Sequence, residues 1–346
     1  MFGIIEYSEI YGNEEEYIFV DVRSESEFLE DAIEGSINIP ILQDKEREIV
    51  GTTYVRDSVE KAKMQGIEFV SARLPLIFKK FQELIKANED KKIVIYCARG
   101  GMRSGSIHSL LNSIGIHVLK LKGGYKAYRA FMVQKLEEYC NKVKFIVLYG
   151  NTGIGKTEIL YRLKEKGYNI LDIEKAANHR GSILGGVGLG DCHSQKKFET
   201  MVYNELRTRK NNIVFTEGES RRLHKILITQ CLWDSLHRGK KIYLTADLET
   251  RAERLVKEYT AFDTAKDEIN QAIGVLGKHI SEEKANYYME LVKKGEYKKV
   301  AMELMEKYYD PMYVFGTKKN EFLDNFHIDS VEDAVNRLIK IYNDLK

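Results

Sequence analysis

The chain has 346 residues, a formal net charge of +2, 43% hydrophobic and 31% charged residues, and four cysteines without a CxxC pair. This composition excludes a disordered or fibrous protein, the length favours two domains, and the scattered cysteines argue against a zinc site or a disulfide framework. No stretch approaches the ~20 apolar residues that span a bilayer, and the first residues do not resemble a signal peptide. We therefore expect a cytoplasmic protein with no membrane partner.

Short apolar strands alternate with amphipathic helices over about residues 1–125. The stretches YIFVDVRS, INIPI, KIVIYC and IHVLKLKGG predict strands. Between them, SESEFLEDAIEG, LPLIFKKFQELIKAN and RSGSIHSLLNSIG have the apolar spacing of helices. This alternation implies a parallel sheet covered on both faces. We predict an α/β domain over residues 1–135, followed by a linking helix in YKAYRAFMVQKLEEYCN.

A second α/β domain is predicted over residues 136–346. It begins with KFIVLYGNTGIGKT, an apolar strand that leads into a glycine-rich loop and a helix. YNILDI, NNIVFTEGE and KKIYLTAD predict further strands. From about Ala265 onward the spacing is helical and no strand is predicted. The fold class is therefore α/β, with two parallel-sheet domains and a helical C-terminal part.

The stretch IYCARGGMRSGS places a cysteine between a strand and a helix that we expect to begin near Ser104. In such a loop the backbone N–H groups and the helix N-terminus face the sulfur, which favours the thiolate, a nucleophile. The two arginines could clamp an oxyanion. The spacing Cys-x5-Arg is found in tyrosine-phosphatase loops and in rhodanese-like domains, so by itself it leaves phosphoryl and sulfur transfer open. The candidate residues are Cys97, Arg99, Gly100, Gly101, Arg103 and Ser104.

Residues upstream of this loop favour the second alternative. DVRSESEFLEDAIEGSINIP resembles the entry motif of rhodanese-like domains, although the histidine and first proline that are usual in its turn are replaced. Tyr96, where a phosphatase loop has histidine, weakens the phosphatase interpretation. Cys140 and Cys231 lie in helix-like apolar contexts that predict inert thiols. Cys192, in the loop GLGDCHSQ, stays open as a functional residue.

GNTGIGKT fits the phosphate-loop pattern G-x-x-x-x-G-K-[ST] in the required context of strand, loop and helix. In this P-loop NTPase-like domain the backbone N–H groups would cradle a diphosphate, and Lys156 would reach its terminal phosphate. Thr157 would face Mg²⁺ if the ion is bound. Glu217 and Glu219, or else Asp172, would be a further ligand or a cap. The residues assigned to diphosphate binding are Gly150, Asn151, Thr152, Gly153, Gly155, Lys156 and Thr157.

Basic residues concentrate in one part of the chain. Nine Lys and Arg and no Asp or Glu lie between Lys91 and Lys135, so the rest of the chain carries about −7. This pattern suggests an anionic partner, with a solvated helix face as the alternative. KLKGGYKAYR mixes basic side chains with tyrosines, a combination suited to phosphate contacts and to stacking on nucleobases. The candidate nucleic-acid contacts are Lys120, Lys122, Tyr125, Lys126, Tyr128 and Arg129.

A rhodanese-like unit followed by a P-loop unit resembles the tRNA 2-selenouridine synthase family. The resemblance extends from Asp21 to Tyr313. In the loop GLGDCHSQKKFE the chain departs from the family pattern, and only Ser194, Gln195, Phe198 and Glu199 align. The stretches that carry the resemblance are DVRSESEF, DKEREIVGTTY, YCARGGMRSGS, LKGGYKAYR, GNTGIGKT, ANHRGSILG, EGESRR and YYDPMY.

The resemblance implies an enzyme that replaces the sulfur of 2-thiouridine at the tRNA wobble position with selenium. The candidate nucleic-acid contacts of KLKGGYKAYR would then be tRNA contacts. Selenophosphate, provided by a separate supplier, would be the donor, and geranyl diphosphate would prenylate the sulfur. Cys97 would carry selenium as a perselenide, Arg103 would neutralise the donor, and the P-loop would hold the diphosphate leaving group.

Further residues of the second domain are candidates for substrate binding. The tyrosines of YYDPMY are expected to pack at a helix end rather than to bind. Two rival hypotheses remain, a Cys-x5-Arg phosphatase fused to a P-loop small-molecule kinase and a non-catalytic sensor of anions or nucleotides. The candidate substrate-binding residues are Asp172, His179, Arg180, Ser182, Glu217, Glu219, Arg221 and Arg222.

Overall fold

The computed structural model describes residues 3–317 and 320–346, with the backbone alone over residues 314–317. Contacts between Cα atoms divide the chain into two compact units, Met1–Lys135 and Leu136–Lys346. Each unit contains a five-stranded sheet in which all neighbouring strands are parallel. The predicted fold class, α/β with two parallel-sheet units and a largely helical C-terminal part, is confirmed.

The first unit follows the predicted alternation of strands and helices. Its strands are β1 (Ile4–Ile5), β2 (Tyr17–Asp21), β3 (Ile37–Asn38), β4 (Lys92–Tyr96) and β5 (Leu119–Leu121). Its helices are α1 (Tyr7–Ile10), α2 (Glu25–Glu30), α3 (Asp44–Arg56), α4 (Val59–Lys86), α5 (Met102–Ser113) and α6 (Gly124–Lys142), the last of which contains the division between the units. The strand order is β1-β5-β4-β2-β3, so β4 is the middle strand.

One helix of this unit differs from the sequence-based expectation. The helix predicted in LPLIFKKFQELIKAN is only the second half of α4, which has 28 residues and includes Pro75 in its interior. A proline inside a helix removes one backbone hydrogen bond and normally ends the helix. Ile77 and Phe81, just beyond the proline, belong to the buried core of the unit, so packing holds the helix together across it.

The second unit has a mixed core of sheet and helices. Its strands are β6 (Lys144–Gly150), β7 (Ile170–Leu171), β8 (Ile213–Glu217), β9 (Arg222–Leu223), β10 (Ile226–Leu227), β11 (Lys240–Thr245) and β12 (Asp324–His327). Its helices are α7 (Lys156–Glu165), α8 (Ile173–Ala177), α9 (Gln195–Arg207), α10 (Gln230–Arg238), α11 (Leu248–Tyr259), α12 (Ala265–Leu276), α13 (Glu282–Lys293), α14 (Tyr297–Leu304), α15 (Asp310–Thr317) and α16 (Val331–Leu345). A π-helical turn, Met305–Tyr309, joins α14 to α15. The parallel sheet has the order β12-β11-β6-β8-β7, and β9 pairs with β10 in a separate antiparallel hairpin.

The expectation of helices alone after Ala265 is wrong at β12. This strand pairs in parallel with β11 at the edge of the sheet and buries Phe326. Its sequence, DNFH, offers one apolar side chain and no alternation, so the neighbouring strand rather than local propensity defines it. Within residues 3–317 and 320–346, no helix combines the length and apolar character needed to cross a membrane.

Candidate functional site

Cys97 lies directly after β4, the middle strand of the first sheet, and its side chain is 3% exposed. Its Sγ is 3.2 Å from Oγ of Ser104, a buried residue in the first turn of α5. The helix begins at Met102, two residues earlier than predicted, so a short glycine loop separates the sulfur from the helix N-terminus. The site therefore brings together a thiol, a hydroxyl and a helix N-terminus, the elements of an anion cradle.

A second glycine turn packs against this loop. The N–H of Tyr125 donates to the carbonyl of Cys97, and the N–H of Lys126 donates to that of Ala98. Gly124, with φ of +59°, comes so close that a Cβ there would overlap the carbonyl oxygen of Cys97 and lie 2.5 Å from N of Gly100. Only glycine fits this approach. The stretch LKGGY therefore packs against the backbone of the cysteine loop and holds its conformation.

The two arginines of the loop have different environments. Arg99 is exposed, whereas Arg103 forms a two-pronged ion pair with Glu27 of α2, at 2.5 and 3.1 Å. Burial alone would raise the pKa of Glu27, but the ion pair with Arg103 outweighs it and lowers that pKa. Arg103 is thus held in place by a carboxylate, and Glu27 is a residue of the site that sequence reasoning missed.

Three of the predicted tRNA contacts are corrected by their burial. Tyr125 is buried and its hydroxyl donates to Asp31, at 2.5 Å. Tyr128 is buried edge-on against Tyr7. Arg129, with a side chain only 15% exposed, lies 3.9 Å from the Asp31 carboxylate. These side chains pack inside the first unit, so their rings and charge are not presented to a nucleic acid.

The predicted lysines differ from those three residues. Lys122 and Lys126 are exposed, and Lys120 is half-buried. Lys122 forms an ion pair with Glu6, at 2.7 Å, an exposed pair of the kind that contributes little to stability. The basic surface of this unit therefore consists of lysines and not of the tyrosines that alternate with them.

The P-loop follows β6, the middle strand of the second sheet, and α7 begins at Lys156. Two arginines of α11, which the sequence did not single out, hold the loop. Arg251 donates to the carbonyl of Thr152 at 2.9 Å and forms an ion pair with Asp310, while Arg254 donates to the carbonyl of Ile154 at 2.8 Å. Both carbonyl oxygens therefore accept hydrogen bonds from guanidinium groups, which hold the loop in its conformation.

A cavity of about 930 Å³ opens at this loop. Among the predicted substrate-binding residues, Arg180, Ser182, Glu217 and Glu219 line it. Gly150 and Asn151 do not line it, and Asn151 instead accepts a hydrogen bond from the Tyr243 hydroxyl. The predicted loop residues that do line it are Thr152, Gly153, Gly155, Lys156 and Thr157.

Lys156 is surrounded by acidic groups. Its Nζ donates to the carbonyl of Gly150 at 2.9 Å and lies 5.5 Å from the ring centre of Tyr313. Desolvation opposes its charge, but Tyr313, Glu219, Glu174 and Glu217 together hold the pKa of Lys156 above its ordinary value. The lysine therefore stays a cation facing the cavity.

Glu174 and Glu219 share a hydrogen bond at the cavity wall. Burial raises the pKa of both carboxyls, Glu174 well above its ordinary value. The shared hydrogen bond and the charge of Lys156 act against that rise at Glu219, so Glu219 loses its proton more readily than Glu174 does. Glu174 was not predicted, since no local motif marks it.

Glu217 and Asp172 cap helix α8. The Glu217 carboxylate, 2% exposed at the end of β8, accepts the N–H groups of Ile173 and Glu174 at 2.5 and 2.9 Å. Burial, together with the charge of Asp172, raises its pKa to about 8. Asp172 accepts the N–H of Lys175 and does not line the cavity. Its predicted role in substrate binding is replaced by helix capping.

Three more candidates lie outside the cavity. His179 is buried, stacks on His224 at 4.8 Å and accepts the N–H of Gly181, and burial lowers its pKa to about 4. Arg221 and Arg222 are exposed and contact Gln230 and the carbonyl of His224. These three residues shape the segments beside the cavity instead of lining it.

The YYDPMY stretch, expected to pack, contributes to the cavity instead. Tyr308, Tyr309, Met312 and Tyr313 line it beside Lys156. Burial raises the pKa of Tyr313 to about 12, so its hydroxyl stays protonated. The described part of the chain contains no group of three or more His, Cys, Asp or Glu side chains that could hold a metal ion.

Comparison with known proteins gives matches over both units. A family model described as the tRNA 2-selenouridine synthase AAA domain matches residues 143–341, more than half of the chain, and a rhodanese-like domain model matches residues 6–131. A tRNA 2-selenouridine synthase from Pseudomonas syringae pv. syringae is 30% identical over 86% of this chain and 87% of that protein. One from Hydrogenovibrio crunogenus is 28% identical over 92% of this chain and 94% of that protein.

A further tRNA 2-selenouridine synthase, from Nitrosomonas europaea, is 33% identical over 69% of this chain. That match spans 63% of the relative's own length, somewhat less than two thirds. The resemblance predicted from the motifs is thus confirmed by matches to both the cysteine-loop unit and the P-loop unit. The chain belongs to the tRNA 2-selenouridine synthase family.

Proposed function

We propose that this protein converts 2-thiouridine at the tRNA wobble position to 2-selenouridine, with selenophosphate as the selenium donor and a geranylated sulfur as the intermediate. The observation that carries the proposal is the chain's membership of a family whose members are named tRNA 2-selenouridine synthases, a name that states the product and not the route. A buried thiol at a helix N-terminus and a large P-loop cavity in the same chain support the two chemical steps.

In the first step the sulfur of 2-thiouridine attacks C1 of geranyl diphosphate. A carbon–sulfur bond forms, the carbon–oxygen bond breaks, and diphosphate leaves. Lys156 and the loop amides stabilise the charge that develops on the leaving group. S-alkylation also releases the proton of N3, and Glu219, whose ionised form the charge of Lys156 favours, is our candidate for its acceptor.

The second step delivers selenium. A perselenide on Cys97 would require selenium to be oxidised, and selenophosphate brings no oxidant. A balanced route has the Cys97 thiolate attack phosphorus, so that a sulfur–phosphorus bond forms, the phosphorus–selenium bond breaks and hydrogen selenide anion is released. Selenide then adds to C2 of the alkylated uridine and expels the geranyl thiolate, while water hydrolyses the phosphocysteine to phosphate. Ser104, 3.2 Å from Sγ, orients the thiolate.

The partners follow from these steps. The substrate is a tRNA that already carries 2-thiouridine, and a separate enzyme must supply selenophosphate. A tRNA substrate also makes the cytoplasm the expected site of the reaction.

The test is a reconstitution with the full chain, tRNA containing 2-thiouridine, geranyl diphosphate and selenophosphate, without ATP. Mass spectrometry of the digested nucleosides should show a geranylated species when selenophosphate is omitted and a selenium-containing nucleoside when both reagents are present. Absence of both products would contradict the proposal. Turnover that requires ATP, or release of phosphate from an aryl phosphate, would favour the phosphatase–kinase hypothesis.

A further inference from the structure

A second, smaller cavity of about 70 Å³ lies among the helices of the second unit. We call it the apolar annex. Its walls include Val256, Ile269, Val300, Leu304 and Met305, which come from α11, α12, α14 and the π-helical turn. Most of these side chains belong to the buried helical core, so the annex is an apolar recess against that core.

The annex adjoins the P-loop cavity. Five residues line both spaces, so the two share a wall or an opening at these side chains. One of them, Thr152, belongs to the phosphate loop itself. The shared residues are Thr152, Ser182, Leu255, Tyr259 and Tyr309. A ligand whose anionic group lies on the loop therefore has the apolar surface of the annex beside it, towards α14.

The backbone of this wall has an unusual form. The segment Met305–Tyr309 is π-helical, and such turns occur mostly as single insertions, frequently at functional sites. The turn places Met305 and Tyr309 in the annex wall and Tyr308 and Tyr309 in the P-loop cavity. Ligand sites are concave and mostly apolar with a few polar groups, so an apolar recess at this junction is an indication of a binding site.

We propose that the annex binds the end of the apolar chain of a diphosphate ester whose diphosphate lies on the P-loop, and that its size limits the chain length accepted. This inference rests on the proposed function, since it specifies the donor of the first step. A cavity of ~150 Å³ accepts benzene, so by proportion the annex holds about three carbon atoms. It therefore accepts the terminal branch of a short prenyl chain and no more.

The test compares the binding of inorganic diphosphate with dimethylallyl, geranyl and farnesyl diphosphates, measured by calorimetry on the full chain. Three buried carbon atoms at about 0.8 kcal/mol each correspond to a roughly fiftyfold gain of geranyl diphosphate over inorganic diphosphate. Lys156→Ala should weaken both ligands equally, because it acts on the shared diphosphate. Equal affinity of the two ligands for the wild type, or a Lys156→Ala effect on neither, would overturn the proposal.

Two variants change the annex in opposite directions. Leu304→Ala enlarges it and should raise the affinity of farnesyl relative to geranyl diphosphate at least fivefold. Ala301→Leu fills it and should remove most of the gain from the geranyl chain while leaving inorganic diphosphate unaffected. Leu291→Ala is the matched control, since Leu291 is buried in the same helical core but lines neither cavity. If it shifts the ratio as much as Leu304→Ala, the inference is wrong.

These measurements need neither tRNA nor selenium. Chain-dependent binding without alkylation of tRNA would leave the annex in place and contradict the proposed function. Alkylation of tRNA with an unchanged chain preference in Leu304→Ala and Ala301→Leu would contradict the annex and leave the proposed function in place.

Discussion

The cysteine loop after β4 and the P-loop after β6 have the same local construction and opposite surroundings. Each follows the middle strand of a five-stranded parallel sheet and leads through glycines into a helix. The carboxyl ends of such strands are where α/β sheets place ligands. A tight glycine turn packs against the cysteine loop, and the sulfur of Cys97 is buried. The P-loop instead opens on a cavity of about 930 Å³.

The basic side chains of the two loops also have different acidic neighbours. Arg103 is neutralised by Glu27 within the protein, while Lys156 faces a cavity that is lined by five glutamates. A small enclosed cradle suits a small anion and a nucleophile, and an open cavity with an apolar annex suits a larger, amphiphilic ligand. The two loops thus share one strand–loop–helix construction, and the elements around each loop decide what kind of anion it can fit.

The largest expected effect tests the cysteine loop alone. Cys97→Ser should reduce selenium transfer by about a thousandfold or more, because an alcohol does not ionise to replace the thiolate nucleophile. Geranylation and tRNA binding should persist. Nucleoside analysis measures selenium transfer and geranylation, and a filter-binding titration measures tRNA binding. Cys231→Ser, which changes a half-buried thiol of the other unit, is the control. Loss of selenation in the control would show that the nucleophile is misassigned.

The next effect tests the P-loop alone. Lys156→Ala should slow geranylation roughly a hundredfold, equivalent to ~3 kcal/mol of leaving-group stabilisation. Selenation of a previously geranylated tRNA should survive. A two-by-two assay of wild type and variant on both tRNAs reads this directly. Lys257→Ala, an exposed lysine at the same cavity, is expected to change either rate less than threefold. A variant that fails equally on both tRNAs contradicts the division of labour.

The close packing behind the cysteine loop makes a stability prediction. Gly124→Ala should lower the free energy of unfolding by at least about 2 kcal/mol more than Gly115→Ala. Both glycines have positive φ, which costs an alanine ~1–2 kcal/mol, but a Cβ at Gly115 meets nothing within 4 Å. Urea unfolding of the full chain followed by the circular dichroism signal measures the difference. Equal losses would show that the approach to Cys97 relaxes at no cost.

The carboxyl groups of the P-loop cavity make a prediction about pH. Because the pKa of Glu217 is raised from 4.5 to about 8, the folded state keeps a proton that the unfolded state releases. Stability therefore falls as pH rises from about 4.5 to 8. Glu217→Gln should remove most of this fall and be more stable than the wild type by about 2 kcal/mol at pH 8. Each unit of pKa shift corresponds to ~1.4 kcal/mol, and the neighbouring carboxyls account for part of the shift.

Thermal unfolding at several pH values measures this effect. Glu158→Gln, an exposed carboxylate at the same cavity, is the control and should leave the pH profile unchanged. An identical slope for wild type and Glu217→Gln would mean that Glu217 is ionised throughout this range.

The smallest expected effect concerns the surface near the cysteine loop. Lys122→Ala and Lys126→Ala should each reduce the slope of log Kd against log salt for tRNA by about 0.7, the value for one phosphate contact on single-stranded nucleic acid. Arg129→Ala should leave the slope unchanged, because its guanidinium lies beside Asp31 inside the unit. Binding titrations at four salt concentrations distinguish these cases. A change for Arg129→Ala alone would reverse the assignment.

Sequence reasoning succeeded where a function lies in one contiguous stretch. The strands, the cysteine loop and the P-loop were each predicted from fewer than twenty residues, because their glycines and apolar runs have local conformational causes. The tyrosines of KLKGGYKAYR were misinterpreted for the same reason. Their composition suits base stacking, but Tyr125 and Tyr128 lie on the face of α6 that packs against Asp31 and Tyr7.

The sequence by itself determined the order of the two units, the two loops and the side chains Cys97 and Lys156. The tertiary structure alone decided their surroundings. Glu27 reaches Arg103 across 76 residues, and Arg251 and Arg254 reach the P-loop across about one hundred. The π-helical turn that lines the cavity likewise depends on packing. Contacts between residues so distant in sequence depend on how strands and helices pack, and short-range propensity contains no record of that packing.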